Sequence, residues 1–125
     1  MKMRLLITGG QAPTRSALRL FLQEDRGFQV VGEAADSEEL LAEIRSKHPN
    51  DVLLEWELPG QPTMDLLPTL RSLNSRLFVI VLSGRPELEE AARAAGADLF
   101  FSLGEPPKRL LAALQAIDGE KGLEA

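Results

Sequence analysis

The chain has no cysteine among its 125 residues. Disulfides, thiolate metal sites and cysteine nucleophiles are excluded together, and a reducing compartment is the expected setting. The single histidine, His48, precedes Pro49 in a stretch read as a loop and is assigned no chemistry. A basic excess is also missing. Fourteen Lys and Arg against nineteen Asp and Glu leave a formal net charge of -5, and a domain so charged does not neutralise nucleic-acid phosphates unaided. Long apolar runs are absent as well. The run that follows Met1-Lys2-Met3-Arg4 stops at Gly9, too short for a secretory core or a membrane span. The expectation is a cytoplasmic protein with no membrane partner and no direct nucleic-acid contact.

With 44% hydrophobic residues, the length supports one domain with its own core. The expected domain covers residues 1–119, and residues 120–125 read as a C-terminal tail or a truncated linker. Five β-rich runs alternate with helical patterns: Met3 to Thr8, Phe28 to Glu33, Asp51 to Glu55, Leu77 to Leu82 and Asp98 to Ser102. Such alternation specifies a parallel sheet with helices on both faces. Leu5 to Ile7, Val52 to Leu54 and Phe78 to Leu82 are continuously apolar, as strands covered on both sides must be.

Helix signals fill the gaps. Asp36-Ser37-Glu38-Glu39 has the form of a capping box before the stripe Leu40, Leu41, Ile44. A first helix, roughly Thr14 to Glu24, carries Ala17, Leu18, Phe21 and Leu22 on one face. Pro68 interrupts the pattern Leu66, Leu67, Leu70, Leu73, so the third helix is expected to start late or distorted, with Pro68 in its first turn. The fourth is expected from Pro86 to Ala95, with acids near its start and Gly96 as its left-handed stop. The fifth carries Leu110, Leu111, Leu114 and Ile117 and is expected to end near Gly119. The fold class is α/β, a doubly wound five-stranded parallel sheet of (βα)5 type with right-handed crossovers.

Ligands of such sheets collect at the carboxyl ends of the strands. Those ends carry Gly9-Gly10, Glu55, Ser83-Gly84 and Ser102-Leu103-Gly104. Together with Val31-Gly32-Glu33-Ala34, Leu58-Pro59-Gly60, Ala95-Gly96-Ala97-Asp98 and Gly104-Glu105-Pro106-Pro107, they form a pattern spanning nearly the whole chain. It resembles the receiver domain of bacterial two-component response regulators. The resemblance implies a flavodoxin-like strand order 2-1-3-4-5 and a role in phosphorelay signal transduction. It also implies a phosphoacceptor position at Glu55, switch positions at Ser83 and Phe100, and a pocket completed by Gly9, Gly10, Glu57 and Leu103.

Receivers usually carry two acids where this chain has Gly9 and Gly10, an aspartate where it has Glu55, and a lysine where it has Leu103. Mg²⁺ prefers carboxylates and waters in near-octahedral array, so weak or absent metal binding is expected, with no other cofactor. Glu55 carries its carboxylate one methylene further out, which misplaces in-line attack by about an ångström or more. The expectation is a degenerate, non-enzymatic receiver acting through protein contacts, including transcription regulation through an attached DNA-binding domain. The resemblance points to a homodimer through helix four, strand five and helix five, with Arg85, Glu87, Glu90, Arg93, Lys108 and Arg109 supplying a polar rim. A sensor kinase or other signalling protein is a further partner.

Two alternatives stand beside this reading. One is a working phosphoacceptor with slow transfer to Glu55 or a neighbour; the other, more remote, is nucleotide binding at Gly9-Gly10. The second lacks a third glycine, and Pro13 removes an N–H donor from the turn. Individual residues also have plainer readings. Glu55 is either a phosphoryl mimic or a solvated carboxylate, although a carboxylate lacks the charge and oxygens of a phosphate. Ser83 either bonds Glu55 or forms a Ser-Gly turn ahead of the next helix, and Phe100 is either a switch or a packed aromatic. Trp56 is expected to be buried beside the third helix rather than to serve as a partner hot spot.

Overall fold

Apolar side chains alternate between two sides along the central strands, and that alternation organises the molecule. The computed structural model describes residues 3–124, and side chains through residue 117. Strands β1 (Met3–Thr8), β2 (Phe28–Ala34), β3 (Asp51–Glu55), β4 (Phe78–Ser83) and β5 (Leu99–Ser102) pair in parallel in the order β2-β1-β3-β4-β5. Leu6, Val52, Leu54, Val79 and Val81 point to one face, where they meet Leu40, Ile44, Leu66, Leu67, Leu70 and Ala92. Leu5, Ile7, Leu53, Ile80 and Leu82 point to the other, against Leu22, Leu110, Leu114 and Ile117. A period of two therefore serves two cores from one sheet.

The helices are α1 (Ala12–Gln23), α2 (Ser37–Lys47), α3 (Thr63–Leu73), α4 (Glu89–Ala95) and α5 (Pro107–Glu124). The cap forms with its reciprocal bond one residue early: the Asp36 carboxylate accepts from the Glu39 amide at 2.8 Å, and Glu39 accepts from the amide of Ala35, just before the cap, at 2.7 Å. Gly96 ends α4 at φ 119°, a conformation that a Cβ would disfavour.

Several boundaries differ from expectation. α1 begins at Ala12, because Pro13 suits a first helical turn that needs no proline N–H. Pro86–Leu88 forms a separate 3₁₀ turn before α4; tight turns of this kind are common at helix ends. β4 is shifted one residue, so Ser83 ends the strand instead of following it. His48 is the left-handed C-cap of α2, at φ 50°, rather than part of a free loop.

Pro68 lies in the interior of α3, not in its first turn. The helix forms around it because Leu66, Leu67 and Leu70, fully buried in the core, contribute more than one missing backbone bond costs. α5 continues past Gly119 to Glu124, since one glycine weakens a helix without ending it. Residue 125 of the expected tail lies outside the described residues. No described helix is long and apolar enough to cross a membrane.

The strand order reverses between β1 and β3, and both chains leave the sheet there at their carboxyl ends. Such a switch point opens a crevice between the two crossover connections. Thr8 and Glu55 stand on its two sides.

Candidate functional site

Thr8 ties the crevice together. Its buried hydroxyl donates to the Leu53 carbonyl at 3.0 Å and accepts from the Glu55 amide at 2.9 Å. The end of β3 is thereby fixed to the end of β1, and the Glu55 carboxylate is directed over Gly9. A Cβ at Gly9 would lie 2.9 Å from Glu55 Oε2 and 3.1 Å from the Arg15 stem. Gly9 is thus demanded by space: its backbone has no positive φ, a conformation that among the described glycines belongs to Gly60 and Gly96. The volume a side chain would take is held by Glu55 and Arg15.

Arg15 is the residue that the sequence reading missed. From the first turns of α1 it donates to the Gly9 carbonyl, and its Nε lies 3.2 Å from Glu33 Oε1. Arg19, one turn on, reaches Glu33 Oε2 at 2.8 Å. The signal was available as two arginines at i, i+4 facing an acid at the end of a neighbouring strand. Those bonds hold the Glu33 carboxyl below the ordinary glutamate value of 4.5, Arg19 contributing most.

Glu55 shifts the other way. Burial lifts its carboxyl above 4.5 and Glu57 adds to the effect, while Arg15 and a bond from the Gly10 amide oppose it. Among the described residues no cation approaches the Glu55 carboxylate within ion-pair distance. Glu57 is exposed and faces Arg85 at 3.9 Å; Arg85 also lies 3.5 Å from Glu87.

A cleft of about 40 Å³ is enclosed beside Glu55 by Thr8, Gly9, Thr14, Arg15, Leu18, Leu82 and Leu103. Leu103 is half exposed and closes the side nearest α5. The structure therefore brings Gly9, Gly10, Glu55 and Leu103 together as read from the sequence. Ser83 is adjacent, its carbonyl accepting from the Leu103 amide at 2.9 Å. Its hydroxyl accepts from the Arg85 amide at 3.1 Å, which is the turn reading and not a bond to Glu55.

Phe100 and Trp56, both partly buried, pack against the opposite core, beside α3 and α4. Arg93 pairs with Glu89 within α4, and Arg109 of α5 pairs with Glu105 in the turn before it, each at 3.0 Å. Glu90 and Lys108 are exposed.

The fold family implies a divalent cation here, and these residues do not fit one. A hard cation needs several oxygen donors around one point. The crevice offers one carboxylate, with the Arg15 guanidinium on the Gly9 carbonyl and Glu57 turned toward Arg85. Among the described residues no group of three or more His, Asp or Glu could hold a metal ion. Nor do the glycines offer a free phosphate cradle, since the Gly9 amide already donates to Ala34 O at 3.0 Å.

Comparison with known proteins agrees with this architecture. Residues 6–115 match the family model of the response regulator receiver domain. The phosphate regulon transcriptional regulatory protein PhoB of Escherichia coli (strain K12) is 31% identical over 121 residues, covering 94% of this chain and 52% of that protein. The chain thus spans about half the length of the curated relatives it matches. Among solved structures, a CheY-like response regulator receiver domain protein from Methanospirillum hungatei JF-1 aligns over all of both chains, with a TM-score of 0.85 and 24% identity. The isolated REC domain of RcsB from Salmonella enterica serovar Typhimurium, in the presence of phosphomimetic BeF3-, aligns at 0.85 with 20% identity, over 95% of this chain and 90% of that one.

Proposed function

The chain belongs to the response regulator receiver domain family, and from that premise we propose that it is a receiver that signals by protein contact without Mg²⁺-dependent phosphorylation. The observation carrying this reading is the occupancy above Gly9. Glu55 Oε2 and the Arg15 stem fill the space that a metal-binding side chain at that position would need. In this reading Glu55 is no phosphoryl acceptor, because no lysine stands at Leu103 to draw a phosphoryl group in and no acid pair places a metal beside it. It is a half-buried carboxylate at a strand end that Thr8 fixes through the Glu55 backbone amide, rather than a mimic of the phosphorylated state.

The same reading makes the protein a cytoplasmic, non-enzymatic component of a two-component pathway. Its matched relatives are transcriptional regulators roughly twice its span, which supports an attached DNA-binding domain as the output of the full protein. The surface of α4, β5 and α5, with Arg85, Glu87, Glu90, Arg93, Lys108 and Arg109 at its rim, is proposed for pairing with a second copy. The paired arginines there favour register and specificity over affinity.

The test is direct. The protein is incubated with Mg²⁺ and acetyl phosphate, and its intact mass is followed. The expected result is the unmodified mass throughout; a stoichiometric phosphoryl adduct refutes the reading and selects the slow phosphoacceptor instead.

A further inference from the structure

The cleft beside Glu55 does not end at Leu103. Thr14, Leu18 and Leu103 also line a groove of about 260 Å³ between α1 and the start of α5, which Ala17, Phe21 and Pro107 complete. The two spaces share three residues and differ in chemistry. The inner one, about 40 Å³, admits a single group of the size of an ammonium or a water molecule. The outer one is walled almost wholly by carbon. Together they reach the lower end of the range usual for small-molecule sites, on the order of 300 Å³.

We propose that this composite space binds a small amphipathic amine, its ammonium against Glu55 in the cleft and its apolar body along Leu18, Phe21 and Leu103 in the groove. Arg15 and Glu55 are the charged groups that line the cleft, and their partners select the sign. Arg15 and Arg19 both bond Glu33, and Arg85 faces Glu57 and Glu87. Arg15 is thus already engaged with Glu33 and the Gly9 carbonyl, and Glu55 is left without an ion pair among the described residues. An anion would face that unpaired carboxylate. A wholly apolar ligand would cover a carboxylate without pairing it, and an unpaired buried charge is strongly unfavourable.

The groove selects the body. Leu103, 51% exposed, and the half-buried Leu18 and Phe21 offer apolar surface for one aromatic ring or a short alkyl chain. A receiver equipped in this way takes its input from a metabolite at the place where its relatives take a phosphoryl group. The proposal rests on the metal-free reading of the crevice but is tested separately from it, since the mass measurement and a ligand titration fail independently.

Backbone amide shifts are recorded by NMR while 2-phenylethylamine is added, and in parallel with the neutral 2-phenylethanol and the anionic 3-phenylpropionate. Saturable shifts are expected at Gly9, Gly10, Leu18 and Leu103, with the amine bound about ten-fold or more tightly than either analogue, as a charge-assisted bond confers. In Glu55→Gln the preference for the amine is expected to vanish. In Leu103→Lys, a half-exposed position that tolerates the change, the chain's own ammonium is expected to compete and abolish binding. No saturable shift with the amine up to about 20 mM, beyond the range expected of a fragment this size, overturns the proposal. Equal affinity for all three probes overturns it too, as does an amine preference that survives either substitution.

Discussion

Replacing Gly9 by alanine tests the close packing over the crevice most directly. The backbone at Gly9 has no positive φ, so alanine brings no dihedral strain, and the lower entropy of its unfolded chain favours folding by about 0.4–1 kcal/mol. Against that gain, the new Cβ would sit 2.9 Å from Glu55 Oε2 and 3.1 Å from Arg15 Cγ. Relief requires the Glu55 carboxylate to swing away from its place over Gly9. The Arg15 stem must also shift, and overpacking of this kind costs about 1–3 kcal/mol. The balance is a destabilisation of about 1–2 kcal/mol, read as a lower urea midpoint at unchanged slope. Glu55→Ala removes the obstructing atoms. In that background the cost of Gly9→Ala is expected to fall by about 1 kcal/mol, the remainder belonging to Arg15. The double-mutant cycle measures that coupling. Additivity within about 0.3 kcal/mol would refute the claim that Glu55 occupies the side-chain space of Gly9.

Glu55 and Glu33 should leave opposite marks on stability against pH. The Glu55 carboxyl is raised above 4.5 in the fold, so its contribution is present below the unfolded value and lost as pH rises through the folded one. Glu55→Gln is therefore expected to gain stability relative to the parent as pH rises from 4 to 7. The Glu33 carboxyl is lowered; its contribution is present above 4.5 and lost as pH falls through the folded value, so Glu33→Gln should be destabilising at pH 7 and much less so in acid. Urea midpoints across pH check both signs. Thr8→Val keeps shape but strands the part-buried Glu55 amide without its 2.9 Å acceptor, and a loss of about 1–3 kcal/mol is expected by chemical denaturation. Pro68→Ala restores an amide donor inside α3 at an exposed position. A net gain of about 1 kcal/mol or more, seen as a higher midpoint, is expected after the unfolded-chain entropy of proline is subtracted.

Local signals set the element order. Asp36 and Glu39 formed the cap that their spacing demands, and Gly96 took the left-handed stop for which glycine is suited. Leu5 to Ile7 and Val52 to Leu54 were continuous apolar runs because both faces of the sheet are covered, and that same fact shows in the two separate cores. Boundaries were less legible. Whether Pro68 breaks or merely weakens a helix depends on how much Leu66, Leu67 and Leu70 bury, which is a property of the packed state. The same holds for Ser83, whose hydroxyl chose the Arg85 amide over a carboxylate that the sequence placed equally near.

By itself the sequence determined the class of fold, the strand order through its family pattern, and the identity of the residues at the strand ends: Gly9, Gly10, Glu55, Ser83 and Leu103. Those are matters of periodicity and chain position, which local chemistry sets. The tertiary structure alone decided what those residues do to each other. It placed Glu55 Oε2 where a Cβ of Gly9 would stand, brought Arg15 from α1 onto the Gly9 carbonyl, and joined the cleft to an apolar groove through Leu103. Apart from Arg15 on Gly9, six positions away, such contacts link residues tens of positions apart in sequence. They depend on the sheet twist and on the helix packing that bring β1, β3, α1 and the start of α5 to one crevice, which no local pattern encodes.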